Sequence, residues 1–64
     1  MSYELYEVWA EDEYGHEELI ETTKSLKQAE ELAQKCVLDG YLSGIIYQET
    51  EEGDLKEIDR IEAD

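Results

Sequence analysis

Residues 25–40 read SLKQAEELAQKCVLDG, and this stretch decides how the rest of the chain must fold. Ser25 followed three residues later by Gln28 has the form of a capping box, in which the serine hydroxyl accepts from an otherwise unpaired amide of the first helical turn. Leu26, Ala29, Leu32, Ala33, Cys36 and Val37 then recur at intervals of three and four and form one apolar stripe, while Lys27, Glu30, Glu31, Gln34 and Lys35 fall elsewhere. Asp39-Gly40 ends the segment, glycine being suited to the left-handed residue that closes a helix. The pattern predicts one helix over residues 26–38 with a single apolar face, which must be buried against something.

The flanking segments supply that partner. Residues 3–10, YELYEVWA, alternate and are rich in aromatic and β-branched types, which predicts a strand. Gly15, at the end of the turn Glu11-Asp12-Glu13-Tyr14-Gly15, can take positive φ and return the chain into residues 16–22 as an antiparallel partner. Beyond the helix, residues 41–50 are the most apolar part of the chain. Tyr41, Ile45 and Tyr47 would lie on one face and Leu42, Gly44 and Ile46 on the other, the pattern of a strand covered on both sides. Glu51-Glu52-Gly53-Asp54 makes a second turn into residues 55–61. Leu55, Ile58 and Ile61 have a helical spacing, but the turn before them and the few residues after them favour a strand.

The fold class expected is therefore α+β, a ββαββ domain spanning residues 1–64, with a four-stranded antiparallel sheet in order 2-1-3-4 and one helix packed on one face. The first and third strands carry the most apolar surface and belong in the centre. Tyr6 and Val8 would face one side of the first strand, and Tyr3, Leu5 and Trp9 the other. One helix covers one face only, so the sheet needs a second cover. A homodimer through the open face, or a partner protein there, is the simplest cover, with Tyr3, Leu5, Trp9, Tyr41, Ile45 and Tyr47 as interface residues.

At 64 residues the chain is short enough that folding buries only about 60% of the unfolded surface, and one cysteine allows no internal disulfide. A lone Cys36 and an N-terminus without a basic start or apolar core point to the cytoplasm. No apolar run approaches the roughly 20 residues of a membrane-spanning helix.

Nineteen acidic against five basic residues give a formal charge of -14, which would repel nucleic acid and anionic lipid alike and favour a basic protein partner. The charge is regional. Residues 1–21 hold eight acids and no Lys or Arg, and residues 48–64 hold eight acids with only Lys56 and Arg60, whereas residues 22–47 are balanced. Glu11, Asp12, Glu13, Glu17, Glu49, Glu51, Glu52 and Asp54 are the candidate partner-binding carboxylates. One reading of them is the solvated side of a sheet whose acids keep its edges from pairing. Another is a row of carboxylates that imitates a phosphate backbone and occupies a basic nucleic-acid-binding site on another protein.

Little points to catalysis. His16, the only histidine, has acidic neighbours but no nucleophile at definite spacing, and reads as an exposed turn residue. Cys36 lies on the apolar stripe and reads as a small buried hydrophobe. The acidic turns lack the Asp-x-Asp-x-Asp-Gly frame of a calcium loop, and no phosphate loop, zinc spacing or nucleophile elbow occurs. No enzyme, no cofactor and no metal are expected. The aromatics differ from an RNA-stacking platform because no basic residues accompany them.

The succession Tyr-x-Leu-Tyr-x-Val-Trp, an acidic turn, Ser-Leu-Lys-Gln-Ala-Glu-Glu-Leu-Ala, Gly-Tyr and a final Gly-Asp hairpin resembles the small acidic ββαββ proteins of bacterial and phage accessory genes. The resemblance spans the chain and names an architecture. It implies an inhibitor of host defence or of nucleic-acid enzymes, and transfers no functional residue. The function expected is thus a non-enzymatic interaction protein, plausibly a phage or mobile-element inhibitor or modulator that binds a basic surface of a host protein. The alternative is a homodimeric structural or accessory module that uses the open sheet face, its acidity serving solubility.

Overall fold

The helix α1 spans Leu26–Leu38, as its sequence predicts, in a computed structural model that describes residues 5–63. Ser25 is the N-cap, its hydroxyl accepting from the Gln28 amide at 3.2 Å. The reciprocal half of the capping box is rerouted through Thr23. Its hydroxyl donates to Gln28 Oε1 at 2.7 Å and accepts from the Ser25 amide at 3.2 Å, which ties the helix start to the preceding strand. At the other end Gly40 has φ +111, and the amides of Gly40 and Tyr41 donate to the carbonyls of Val37 and Cys36, a Schellman closure.

Four strands accompany the helix: β1 (Tyr6–Glu11), β2 (Glu17–Thr23), β3 (Ser43–Glu49) and β4 (Leu55–Glu62). They form one antiparallel sheet in the order β2-β1-β3-β4. The two most apolar strands do occupy the centre, where both of their edges find hydrogen-bond partners. The third strand is shorter than expected, because Tyr41 and Leu42 are taken up by the helix closure and by the crossover. Helix α1 lies mainly over β3 and β1.

The two hairpins are built alike. Each turn ends in a glycine with positive φ, Gly15 at +83 and Gly53 at +87, preceded by a polar residue, Asp12 or Thr50, whose side chain accepts backbone amides of the loop. The hydrogen bonds to His16 and Asp54 carbonyls close five-residue loops of the same design. Each edge strand carries a bulge at the same place. Trp9 faces Leu19 and Val8 faces Glu21, leaving Ile20 as the extra residue, while Tyr47 faces Glu57 and Ile46 faces Asp59, leaving Ile58. The central pairing completes a pseudo-twofold axis normal to the sheet, exchanging the pair Trp9 and Ile45 with the pair Tyr47 and Glu7.

The second bulge explains the helical spacing in β4. An inserted residue reverses the phase of a strand's alternation, so Leu55 lies beside Trp9 and Tyr47 on the open face, while Ile61 packs into the core on the helix side. The three apolar residues serve two faces of a bulged strand and make no helical stripe.

The core lies between helix and sheet: Tyr6, Val8, Ala10 and Ile46 from below, Ala29, Ala33 and Cys36 from above, with Leu32, Tyr41 and Ile61 at its margin. The helix presents small residues to the sheet and so approaches it closely. At Gly44 a Cβ would stand 2.4 Å from the Ala33 carbonyl oxygen. Among the described residues no helix is long and apolar enough to cross a membrane.

Candidate functional site

The sheet face opposite the helix takes alternate residues from each strand. Glu7, Trp9 and Glu11 of β1 share it with Glu17 and Leu19 of β2, Ile45, Tyr47 and Glu49 of β3, and Leu55, Glu57, Arg60 and Glu62 of β4. Most of these residue types were legible as an exposed apolar surface in the sequence. The structure changes its character. Ile45 is fully buried although no helix lies over it, because Trp9 stands opposite it on one side, Arg60 on the other, and Tyr47 beside it on the same strand.

The two rings cross edge to face, with centroids 6.2 Å apart and planes at 87°. Each has a polar atom held by a carboxylate: the Trp9 indole N–H donates to Glu7 Oε1 at 3.0 Å, and the Tyr47 hydroxyl donates to Glu17 Oε1 at 3.0 Å. Trp9, Glu17, Tyr47 and Leu55 together line an open cleft of about 310 Å³. Leu19 and Leu55 remain exposed to either side, at 46% and 44% of their surface.

Charge surrounds the rings. The face carries the carboxylates of Glu7, Glu11, Glu17, Glu49, Glu57 and Glu62, and Arg60 is its one cation among the described residues. The Arg60 guanidinium is already engaged, at 3.0 Å from Glu57 and 3.8 Å from Glu11, and its hydrogen bond to Glu57 raises its pKa further. Burial, then the hydrogen bond to Glu17, raises the Tyr47 pKa.

Tyr41 is a correction. Instead of joining Ile45 and Tyr47 on the open face, it packs against the helix-side core and bonds Glu18, whose charge raises its pKa. The reason is local: Tyr41 follows the left-handed Gly40 and supplies an amide to the helix closure, so it precedes β3 and does not share its alternation. Leu5 is half-buried, its carbonyl accepting from the Glu49 amide. Tyr3 lies outside the described residues.

The predicted carboxylates do not form one cluster. Because β1 and β3 are antiparallel neighbours, the two turns lie at opposite ends of the sheet in a molecule 38 Å long. Glu11, Asp12, Glu13 and Glu17 lie toward one end, and Glu49, Glu51, Glu52 and Asp54 toward the other, with Glu7 and Glu57 on the face between. The last two were missed as site residues. Period-two alternation from Trp9 finds Glu7, but only the bulge at Ile58 reveals that Glu57 shares the face. Asp12 turns inward on its own loop, accepting the amides of His16 and Tyr14, which lowers its pKa. His16 is an exposed turn residue, its ring 3.7 Å from Asp12. Among the described residues no group of three or more His, Cys, Asp or Glu is placed to hold a metal ion.

Stability should fall at alkaline pH. Cys36, buried in the core, and Tyr41 and Tyr47 beside carboxylates all hold their protons above their ordinary values of 9.0 and 10.0. Once the unfolded chain has released those protons and the folded chain has not, unfolding is favoured. The urea midpoint is expected to hold up to about pH 8.5 and to decline from about pH 9 upward, with Tyr47→Phe making the decline shallower. A midpoint that stays level across that window would contradict this assignment.

Comparison of the chain with protein-family models, with curated proteins and with solved structures finds no match.

Proposed function

We propose that this chain is a non-enzymatic binding protein that engages a basic surface of a protein partner, acting as an inhibitor or modulator of the kind carried by phages and mobile elements. The observation that supports the reading is the open sheet face itself: six carboxylates surround two fixed aromatic rings, and the one guanidinium there is already paired. Carboxylates continue through both turns, so an acidic surface runs from one end of the sheet to the other. Such a strip is suited to a site that otherwise holds a nucleic-acid backbone. The buried free thiol of Cys36 suits a reducing, cytoplasmic setting.

The second reading is a homodimer or accessory module joined through the same face, favoured by the exposed Leu19 and Leu55 beside Trp9. Charge weighs against it, since a second copy would bring like carboxylates together. The test is salt. Binding to a captured partner is expected to weaken steeply as ionic strength rises from about 0.01 M to about 0.15 M, where the Debye length contracts from about 30 Å to about 8 Å. Glu13→Lys, Glu51→Lys and Glu52→Lys combined should weaken it further, these turn positions being exposed. An interaction indifferent to both would reject the acidic reading and leave the apolar one.

A further inference from the structure

We propose that the cleft lined by Trp9, Glu17, Tyr47 and Leu55 is the seat of an arginine side chain of the protein partner. The inference rests on the acidic-binding reading above and specifies which part of the surface anchors the contact and by what chemistry.

A guanidinium is flat, lies against an aromatic ring, and donates in its plane to a carboxylate, which an ammonium cannot do at the same time. The cleft offers both partners at once. Two rings at 87° give it perpendicular walls, and the Glu17 carboxylate is fixed at its edge by the Tyr47 hydroxyl. The indole is held in turn by Glu7, so the walls are set before anything binds and little ordering remains to oppose association. Leu55 supplies apolar surface for the methylene stem.

The same face already shows this chemistry once. The chain's own Arg60 lies against it with its guanidinium between Glu57 and Glu11. Glu17 is engaged by no cation. Charge complementarity also chooses between occupants: a second copy of the chain would present carboxylates to carboxylates and its Arg60 is committed, a nucleic acid would present phosphates, and an arginine-bearing segment alone answers the face's charge and its rings together.

The experiment uses the full chain and a blocked nonapeptide alternating arginine with glycine, beside the same peptide with lysine in place of arginine. Trp9 is the only tryptophan, so its fluorescence reports on the cleft directly. The arginine peptide is expected to bind at low salt with a change in Trp9 emission, and more tightly than the lysine peptide. Glu17→Gln keeps an acceptor for Tyr47 and removes the charge, and should weaken the arginine peptide about tenfold, the scale of one charge-assisted hydrogen bond. Glu52→Gln, in the far turn, should change binding little.

Binding that leaves Trp9 emission unchanged, or that responds equally to Glu17→Gln and Glu52→Gln, overturns the cleft and leaves the acidic surface standing. Equal affinity for the two peptides overturns the arginine assignment. Binding of neither peptide at low salt removes both the cleft and the reading on which it rests. A concentration-dependent change in Trp9 emission without peptide, with sedimentation as a dimer, would give the face to a second copy.

Discussion

Gly44→Ala is expected to leave most of the chain unfolded in dilute buffer. The added Cβ would stand 2.4 Å from the Ala33 carbonyl oxygen and 2.7 Å from its Cα, where ordinary contacts begin near 3.4 Å. Neither strand nor helix can yield alone. β3 is held on both edges by β1 and β4, and the helix is pinned at its start by Thr23 and Ser25 and at its end by Gly40. Relief requires the helix to retreat by about 1 Å, which loosens Ala29, Ala33 and Cys36 from Tyr6, Val8 and Ile46 together. Overpacking of this kind costs about 1–3 kcal/mol and occasionally more. A single-core domain of this size has only about 3–5 kcal/mol to lose. Circular dichroism and urea denaturation would measure the loss. The atoms in the way are backbone atoms, so Ala33→Gly should fail to rescue the variant. Native stability in Gly44→Ala would show that the helix sits farther from the sheet than described.

Ile45→Ala is expected to cost about 2–5 kcal/mol, the range for a fully buried large aliphatic side chain. This is a prediction about the open face, where an unpartnered strand residue would ordinarily be cheap to truncate. Ile45 has no exposed surface, whereas Leu19 on the same face is 46% exposed and should cost under about 1 kcal/mol when changed to alanine. If Trp9 seals Ile45, the two truncations should couple, with Trp9→Ala plus Ile45→Ala costing less than the sum of the single changes by at least about 0.5 kcal/mol. Urea denaturation of the three variants closes the cycle. Strict additivity would mean that the ring does not lie over Ile45. A loss that shrinks as protein concentration rises would mean that another chain covers it.

The two variants probe opposite sides of one strand, and together they describe how a short acidic chain supports a sheet with two apolar faces. On one side a helix of small residues comes close enough to exclude a Cβ. On the other, two aromatic rings tethered to Glu7 and Glu17 lie over the strand and keep a carboxylate beside each ring. The groups that seal Ile45 are thus the groups offered to a partner. Occupation of the cleft should for that reason stabilise the fold as well as the complex.

Much of this molecule is determined locally, and that part the sequence decided by itself. Ser25, the three-and-four spacing to Val37 and Asp39-Gly40 define the helix from its own backbone needs. Gly15 and Gly53 define the hairpins because their turns require positive φ. The apolar weight of β1 and β3 places them at the centre, and with that the strand order follows. The tertiary structure decided what depends on phase and on neighbours. Two bulges, at Ile20 and Ile58, reverse the alternation of the edge strands, and no period read along the chain reports an insertion whose cause lies in the partner strand. Tyr41 changed sides because a helix closure, not a strand, sets its direction. The carboxylates adjacent in sequence at the two turns were carried to opposite ends of the sheet by the antiparallel pairing of β1 with β3. The cleft joins Trp9 to residues on β2, β3 and β4, so it exists only once all four strands are in register.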